Sequence, residues 1–173
     1  AAQMFLAFEQ ERDGRIVRRL AERKGEWLFP ALGGFVLAGK ADRIDERRDG
    51  TLEILDFKTG GLPQPKDMRD FDAPQLLLEA AMARAGAFPD VPPRDTSELV
   101  YIKIGLGPAA FVQRRFSLRK GMTLMQAVGE IERRLQGHVE AFLLRDTLPM
   151  AALIRPAAQT GRKPSPRAYD HLA

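Results

Sequence analysis

The chain has 173 residues, 45% hydrophobic and 29% charged, with a net charge of +4 and a pI near 9.7. That is the size and balance of one ordinary domain with room for a core, and its mild basicity permits a nucleic-acid partner without demanding one. No apolar run approaches the roughly 20 residues that span a bilayer, no secretory leader is visible in AAQMFLAFEQ, and there is no cysteine. A membrane anchor and a Cys-ligated iron–sulfur cluster are therefore not expected, and a cytoplasmic setting is. No P-loop is present, so no ATPase activity is expected of the chain itself. The absent initiator Met and the ending AYDHLA are read as a domain cut from a longer protein.

Residues 1 to about 23 show Phe5, Phe8, Ile16 and Leu20 at helical spacing, with Met4 and Leu6 widening the stripe, and predict a first helix. Arg12, Arg15, Arg18, Arg19 and Arg23 fall mostly on its other side as a solvated face. Gly25 breaks the helix, and Glu26–Phe29 reads as a short strand closed by Pro30 and Gly33-Gly34. Phe35–Asp45 reads as the next strand, leading into a hairpin.

The hairpin, GKADRIDERRDGTLEILDFKTG over Gly39–Gly60, carries the chemistry. Ile44, Leu52 and Ile54 alternate with polar residues, and Asp49-Gly50 supplies the turn. Asp56 and Lys58 leave the second strand on one face. Asp42 joins them only in one register. A two-residue turn would set Asp42 opposite Phe57. A three-residue loop, Arg48-Asp49-Gly50 with Gly50 left-handed, pairs Arg47 with Thr51 and sets Asp42 opposite Asp56 and Ile44 opposite Ile54. The second register is predicted. Two carboxylates about 5 Å apart repel unless a cation sits between them. Oxygen ligands of this kind suit Mg²⁺ or Mn²⁺. A neighbouring lysine can orient a water or steady a negative transition state. In this register Asp45 points away, opposite Glu53, as a structural residue, with Arg43 as its charge partner or a phosphate contact.

Thr59–Pro65 reads as a flexible loop, and Thr59 and Lys66 are candidate phosphate contacts. Asp72-Ala73-Pro74-Gln75 is a helix-start signal in which Gln75 could close a capping box; the helix runs on to Gly86. Glu98–Gly105 and Phe111–Ser117 read as neighbouring strands. Lys103, Arg114 and Arg115 are exposed sheet charges by default. Thr123 to about Leu144 is the longest helix, opened by a Thr123/Gln126 capping box, with its apolar face toward the sheet and His138 at the edge of that face. From Pro149 an extended, basic, proline-rich tail is expected, so the organisation is a core over 1–148 and a tail over 149–173.

GKADRID followed by LEILDFKTG resembles the nuclease motif of the PD-(D/E)XK superfamily in its RecB-like branch. The sequence is most similar to the C-terminal nuclease domain of AddB-type subunits of bacterial helicase–nucleases that process DNA double-strand breaks. The resemblance implies an α/β, restriction-endonuclease-like core with a central mixed sheet of about five strands flanked by helices. It implies Asp42 and Asp56 as metal ligands, with the backbone carbonyl of Phe57, and Lys58 as the catalytic lysine. Gln75 would be the glutamine of a Gln-x-x-x-Tyr motif beside the active site, counted with the catalytic set, while Glu79 stands where the tyrosine belongs. Arg43, Thr59 and Lys66 are the DNA contacts, Mg²⁺ or Mn²⁺ the cofactor, and DNA and an AddA-type subunit the partners. An upstream His or Glu ligand on an early helix is expected before residue 1, Glu9 and Glu11 being weak substitutes, so the isolated fragment is expected to bind metal poorly and to cut slowly or not at all. The alternatives are a catalytically silent DNA-binding or scaffolding domain of the same complex, and a stand-alone exonuclease or CRISPR-associated nuclease of the same branch.

Overall fold

The computed structural model describes residues 2–106 and 110–144. Helix α1 (Ala2–Asp13) is followed by a meander of three strands, β1 (Ile16–Phe29), β2 (Phe35–Arg47) and β3 (Leu52–Lys58). A short helix α2 (Pro65–Asp70) and helix α3 (Gln75–Arg84) then cross to β4 (Thr96–Ile104), which turns back as β5 (Phe111–Arg115). Helix α4 (Leu124–Val139) continues as a π-helical turn, Glu140–Leu144. The five strands lie in the order β1-β2-β3-β4-β5. All neighbours are antiparallel except β3 and β4, which are parallel because a helical crossover joins them. This is the mixed, helix-flanked sheet the sequence predicts.

The two faces of the sheet are chemically different. On one, Phe5 and Phe8 of α1 pack on Leu55, Phe57, Val100, Ile102 and Phe111. On the other, α3 lies against Ile44, Ile54, Leu99 and Tyr101, and α4 covers α3 through Ala127, Val128 and Ile131. Helix α3 is buried nearly all round, at Leu76, Leu77 and Glu79–Ala83, as its apolar sequence requires. The capping box of α4 forms as expected: Gln126 N–H donates to Thr123 Oγ1 at 3.2 Å, and Thr123 N–H donates to Gln126 Oε1 at 2.8 Å. Its apolar face meets α3 as well as the sheet.

The first 23 residues depart from expectation. The helix ends at Asp13, and Ile16–Phe29 is one long strand paired with β2 from Ile16–Arg47 to Phe29–Phe35. Ile16 and Leu20 are four apart, close to one helical turn but also an even step along a strand, so their spacing cannot choose between the two. The loop expected over Thr59–Pro65 gives way at Pro65 to α2, which carries Lys66. The proline-rich tail and its boundary at residue 148 lie outside the described residues. Among the described residues no helix is long and apolar enough to cross a membrane.

Candidate active site

The hairpin closes in the three-residue register. Arg47 N–H donates to the Thr51 carbonyl at 2.9 Å and Gly50 N–H to the Arg47 carbonyl at 3.0 Å, with Gly50 at φ 82°. Ile44 faces Ile54 and Asp45 faces Glu53. The pairing ends at Arg43–Leu55. One step further, the Asp42 carboxylate takes over the role of a ladder acceptor: its Oδ2 receives the Phe57 N–H at 2.9 Å. Asp42 is thereby pinned across the mouth of the hairpin, toward β3.

An irregularity on β1 sits beside Asp42. Ala21 pairs with Arg43 and Arg23 with Ala41, and between them Glu22 adopts φ 57°, a conformation that costs a non-glycine residue on the order of 1 kcal/mol or more. The inward face of both strands changes there. Before it Leu20, and beyond Asp42 Ile44, point into the α3-side core. On the other side Gly25 lies against Phe88, where a Cβ would stand 2.6 Å from the ring, and Gly39 against Met82. The change of parity sets Asp42 at the crossover, and nothing in the type of residue at position 22 announces it. Glu22 pairs with Lys40 on the surface.

Beside Asp42, four side chains of β3 and α3 form one hydrogen-bonded group. Lys58 Nζ donates to Asp56 Oδ1 at 3.0 Å and to Gln75 Oε1 at 3.1 Å. Gln75 Nε2 donates to Asp56 Oδ1 at 2.6 Å and to Glu79 Oε1 at 3.1 Å. Gln75 therefore closes no capping box; its side chain is committed to Asp56, Lys58 and Glu79. Asp56 is 1% exposed. Its Oδ2 lies 2.9 Å from Lys58 Nζ, but out of line for a directed bond, so this oxygen is buried without a donor. Glu79 Oε2 is likewise buried and unpartnered.

Burial raises the Asp56 carboxyl above its ordinary value against the pull of Lys58, and Asp42 adds to the rise. Burial, with Asp56 and Asp42 nearby, pushes Glu79 up to about 8 from 4.5. Tyr101, paired with Asp56 across β3 and β4, is also raised by burial and by Asp56 and Glu79. Between about pH 4.5 and 8 the folded chain holds a Glu79 proton that the unfolded chain has released. Stability from this group is thus complete below 4.5 and lost as pH rises, at up to about 1.4 kcal/mol per pH unit. Glu79→Gln is expected to flatten that slope, which urea midpoints measured at pH 5, 6.5 and 8 in both proteins will show.

Thr59 and Lys66 are exposed on the segment leaving β3. That segment is tethered by Arg114, which donates to the Pro63 carbonyl at 2.9 Å. Arg43, expected as a charge partner of Asp45 or a DNA contact, is bound within the protein. It is only 9% exposed, lies on the α1 face, and is spent on Asp45 and on Glu9, each at 2.8–2.9 Å. This fulfils the charge-partner alternative. Glu9 is held on that same face and does not reach Asp56. His138 is exposed, with Nδ1 2.7 Å from the Arg134 carbonyl. His171 lies outside the described residues. Glu79 is the site residue that sequence reasoning left without a role. Its signal was its place as the lone acid in a helix apolar all round.

Among the described residues no three His, Cys, Asp or Glu side chains form a metal-holding group. The donor set that the resemblance implies is Asp42, Asp56 and the Phe57 carbonyl. It is all oxygen, and Asp56 Oδ2 makes only an ion-pair contact to Lys58 Nζ at 2.9 Å, with no directed hydrogen bond. That fits a Mg²⁺-type ion, which keeps several waters and needs only one or two carboxylates.

The model of the PD-(D/E)XK nuclease superfamily matches residues 1–159, and the chain belongs to this family. It is 33% identical over 85 residues to the uncharacterized protein RC0550 of Rickettsia conorii, covering 49% of this chain and 10% of that protein. It is 33% identical over 104 residues to the uncharacterized protein RT0391 of Rickettsia typhi, covering 58% and 12%. The chain thus spans about a tenth of the length of the curated relatives it matches. A solved structure described as SSO0001 is similar at 18% identity and a TM-score of 0.39, over 78% of this chain and 57% of that one.

Proposed function

We propose that the chain is the nuclease domain of a larger protein and hydrolyses DNA phosphodiester bonds with Mg²⁺ or Mn²⁺. We place it in the RecB-like branch, as the counterpart of the AddB C-terminal domain, acting in the cytoplasm with an AddA-type helicase–nuclease subunit on double-strand breaks. The observation that carries the nuclease reading is the meeting of Asp42, Asp56 and Lys58 at the parted end of one hairpin. The much greater length of the matched relatives supports a domain within a larger protein.

Asp42, Asp56 and the Phe57 carbonyl would hold the ion, which when bound supplies Lewis-acid stabilisation of the phosphate. Lys58, a third exposed and anchored by Asp56 and Gln75, has one ammonium proton left for the substrate. It orients the attacking water and offsets charge building on the phosphate oxygens. Asp42 and Asp56 are fixed by the backbone of β3 and by the Lys58–Gln75 pair, so little reorganisation is needed. Thr59 and Lys66 flank the approach as phosphate contacts.

The test is a calorimetric titration of Mn²⁺ into the chain and its Asp42→Ala variant, with DNA cleavage followed in parallel. Saturable binding, lost in the variant, is expected, together with slow cleavage that the variant also loses. One observation favours a second reading, that of a silent DNA-binding domain: no third acidic or imidazole ligand joins the two aspartates among the described residues. That reading gives salt-sensitive DNA affinity that Mn²⁺ leaves unchanged, and no cleavage.

A further inference from the structure

We propose that Glu79 is a positioning residue that fixes the orientation of the Gln75 amide, and through it the Asp56–Lys58 pair. A glutamine amide has two ends of similar shape and opposite polarity, and only its neighbours decide which way it points. At Gln75 three neighbours bear on that choice. Lys58 supplies only donors and faces Oε1 at 3.1 Å; Asp56 accepts from Nε2 at 2.6 Å and Glu79 accepts from the same nitrogen at 3.1 Å. The flipped amide would put its oxygen against Asp56 Oδ1 and Glu79 Oε1 and its NH₂ against the ammonium. Lys58 is a third exposed on a flexible stem, and Asp56 is to be occupied by other work. Glu79 is the partner that stays: it is 5% exposed, one helical turn along α3 from Gln75, and among the described residues has no other hydrogen-bond partner for either oxygen. Burying an acid that serves only one amide is costly, and its placement on the Gln75 side of the cluster gives that cost a purpose. The relay runs Glu79 to Gln75 to Asp56 and Lys58.

The inference rests on the nuclease reading for its effect on cleavage but not for its effect on the amide. Two readouts keep them apart. The first is the Gln75 side-chain NH₂ resonance in a ¹H–¹⁵N correlation spectrum. Its two protons are expected to be well separated, in contact with two acids, in the metal-free chain and in Glu79→Gln, which keeps an acceptor. They should move toward free-amide positions in Glu79→Leu. Glu79→Met, with similar reach, serves where leucine disturbs the packing. The second is a double-mutant cycle on Mn²⁺ affinity. Supporting residues around metal ligands typically matter by about 10–100-fold, so Gln75→Ala and Glu79→Leu should each weaken Mn²⁺ binding by about tenfold. Glu79→Gln should retain most of it, and the double variant should be no weaker than Gln75→Ala alone. A Gln75 resonance indifferent to Glu79→Leu, or losses that multiply in the double variant, would overturn the relay. Absence of Mn²⁺ binding in the unaltered chain, with the amide response intact, would count against the nuclease reading and leave the relay standing.

Discussion

Asp56→Asn is expected to remove at least about 10³-fold of DNA cleavage, the several kcal/mol that a bound ion supplies to a phosphoryl transition state. In the same step it should raise the melting temperature of the metal-free protein, because a carboxylate that burial and Asp42 disfavour is replaced by a neutral amide. The two effects share one cause. Asp56 is 1% exposed, and burial together with Asp42 raises its carboxyl although Lys58 and Gln75 bond to it. Glu79, one amide away, is pushed up to about 8 by burial and then by the same two acids. Without a cation the site holds more negative charge than its own donors can satisfy. The asparagine keeps shape and the Oδ1 acceptor and removes the charge.

Addition of Mn²⁺ should invert the order. An ion at a hundred times its dissociation constant adds about 2.7 kcal/mol to the wild type and nothing comparable to the variant. Thermal melts with chelator and with Mn²⁺ measure both. A metal-free Asp56→Asn protein that melts below the wild type would mean that Asp56 is held chiefly as the ion-pair partner of Lys58, and that the site carries no stored repulsion.

The register that brings Asp42 to Asp56 was legible because three local signals agreed: Gly50 at the end of the loop, Ile44 against Ile54, and charges at a period of two. Gln75 was legible only through resemblance, since its position after Asp72 served a capping box as well. The strand at Ile16–Phe29 was not legible, because Ile16 and Leu20 satisfy both periods. The parity change at Glu22 was beyond reach: glutamate has no preference for positive φ, and the tertiary pairing on both sides imposes it. The fate of Arg12 was hidden for a related reason. An arginine at the end of an amphipathic helix reads as solvated, and only the fold shows that it points at two buried acids.

Arg12→Leu is therefore expected to cost about 3–5 kcal/mol, the range for a buried ion pair that loses one partner, and roughly 6–20 °C in melting temperature. Arg12 is 1% exposed. It bonds Asp45 at 2.5 Å and Glu53 at 3.1 Å, both 0% exposed. Asp45 would keep Arg43, which holds it through Nε at 2.8 Å and the NH2 group at 2.9 Å. Glu53 would keep only Arg15, at 3.8 Å. The destabilisation should thus come mainly from Glu53, whose carboxyl is already raised by burial. Adding Glu53→Gln to Arg12→Leu should recover part of the loss, and lowering the pH, which protonates Glu53, should narrow the gap to the wild type. Urea denaturation of the single and double variants at pH 5 and 7 reads both effects. Glu53 shares β3 with Asp56, three residues away on the opposite face, so this network also braces the strand that carries the site. Mn²⁺ affinity should fall in Arg12→Leu and return with the second substitution. If it did not change at all, the α1 face would contribute to stability and not to the placement of Asp56.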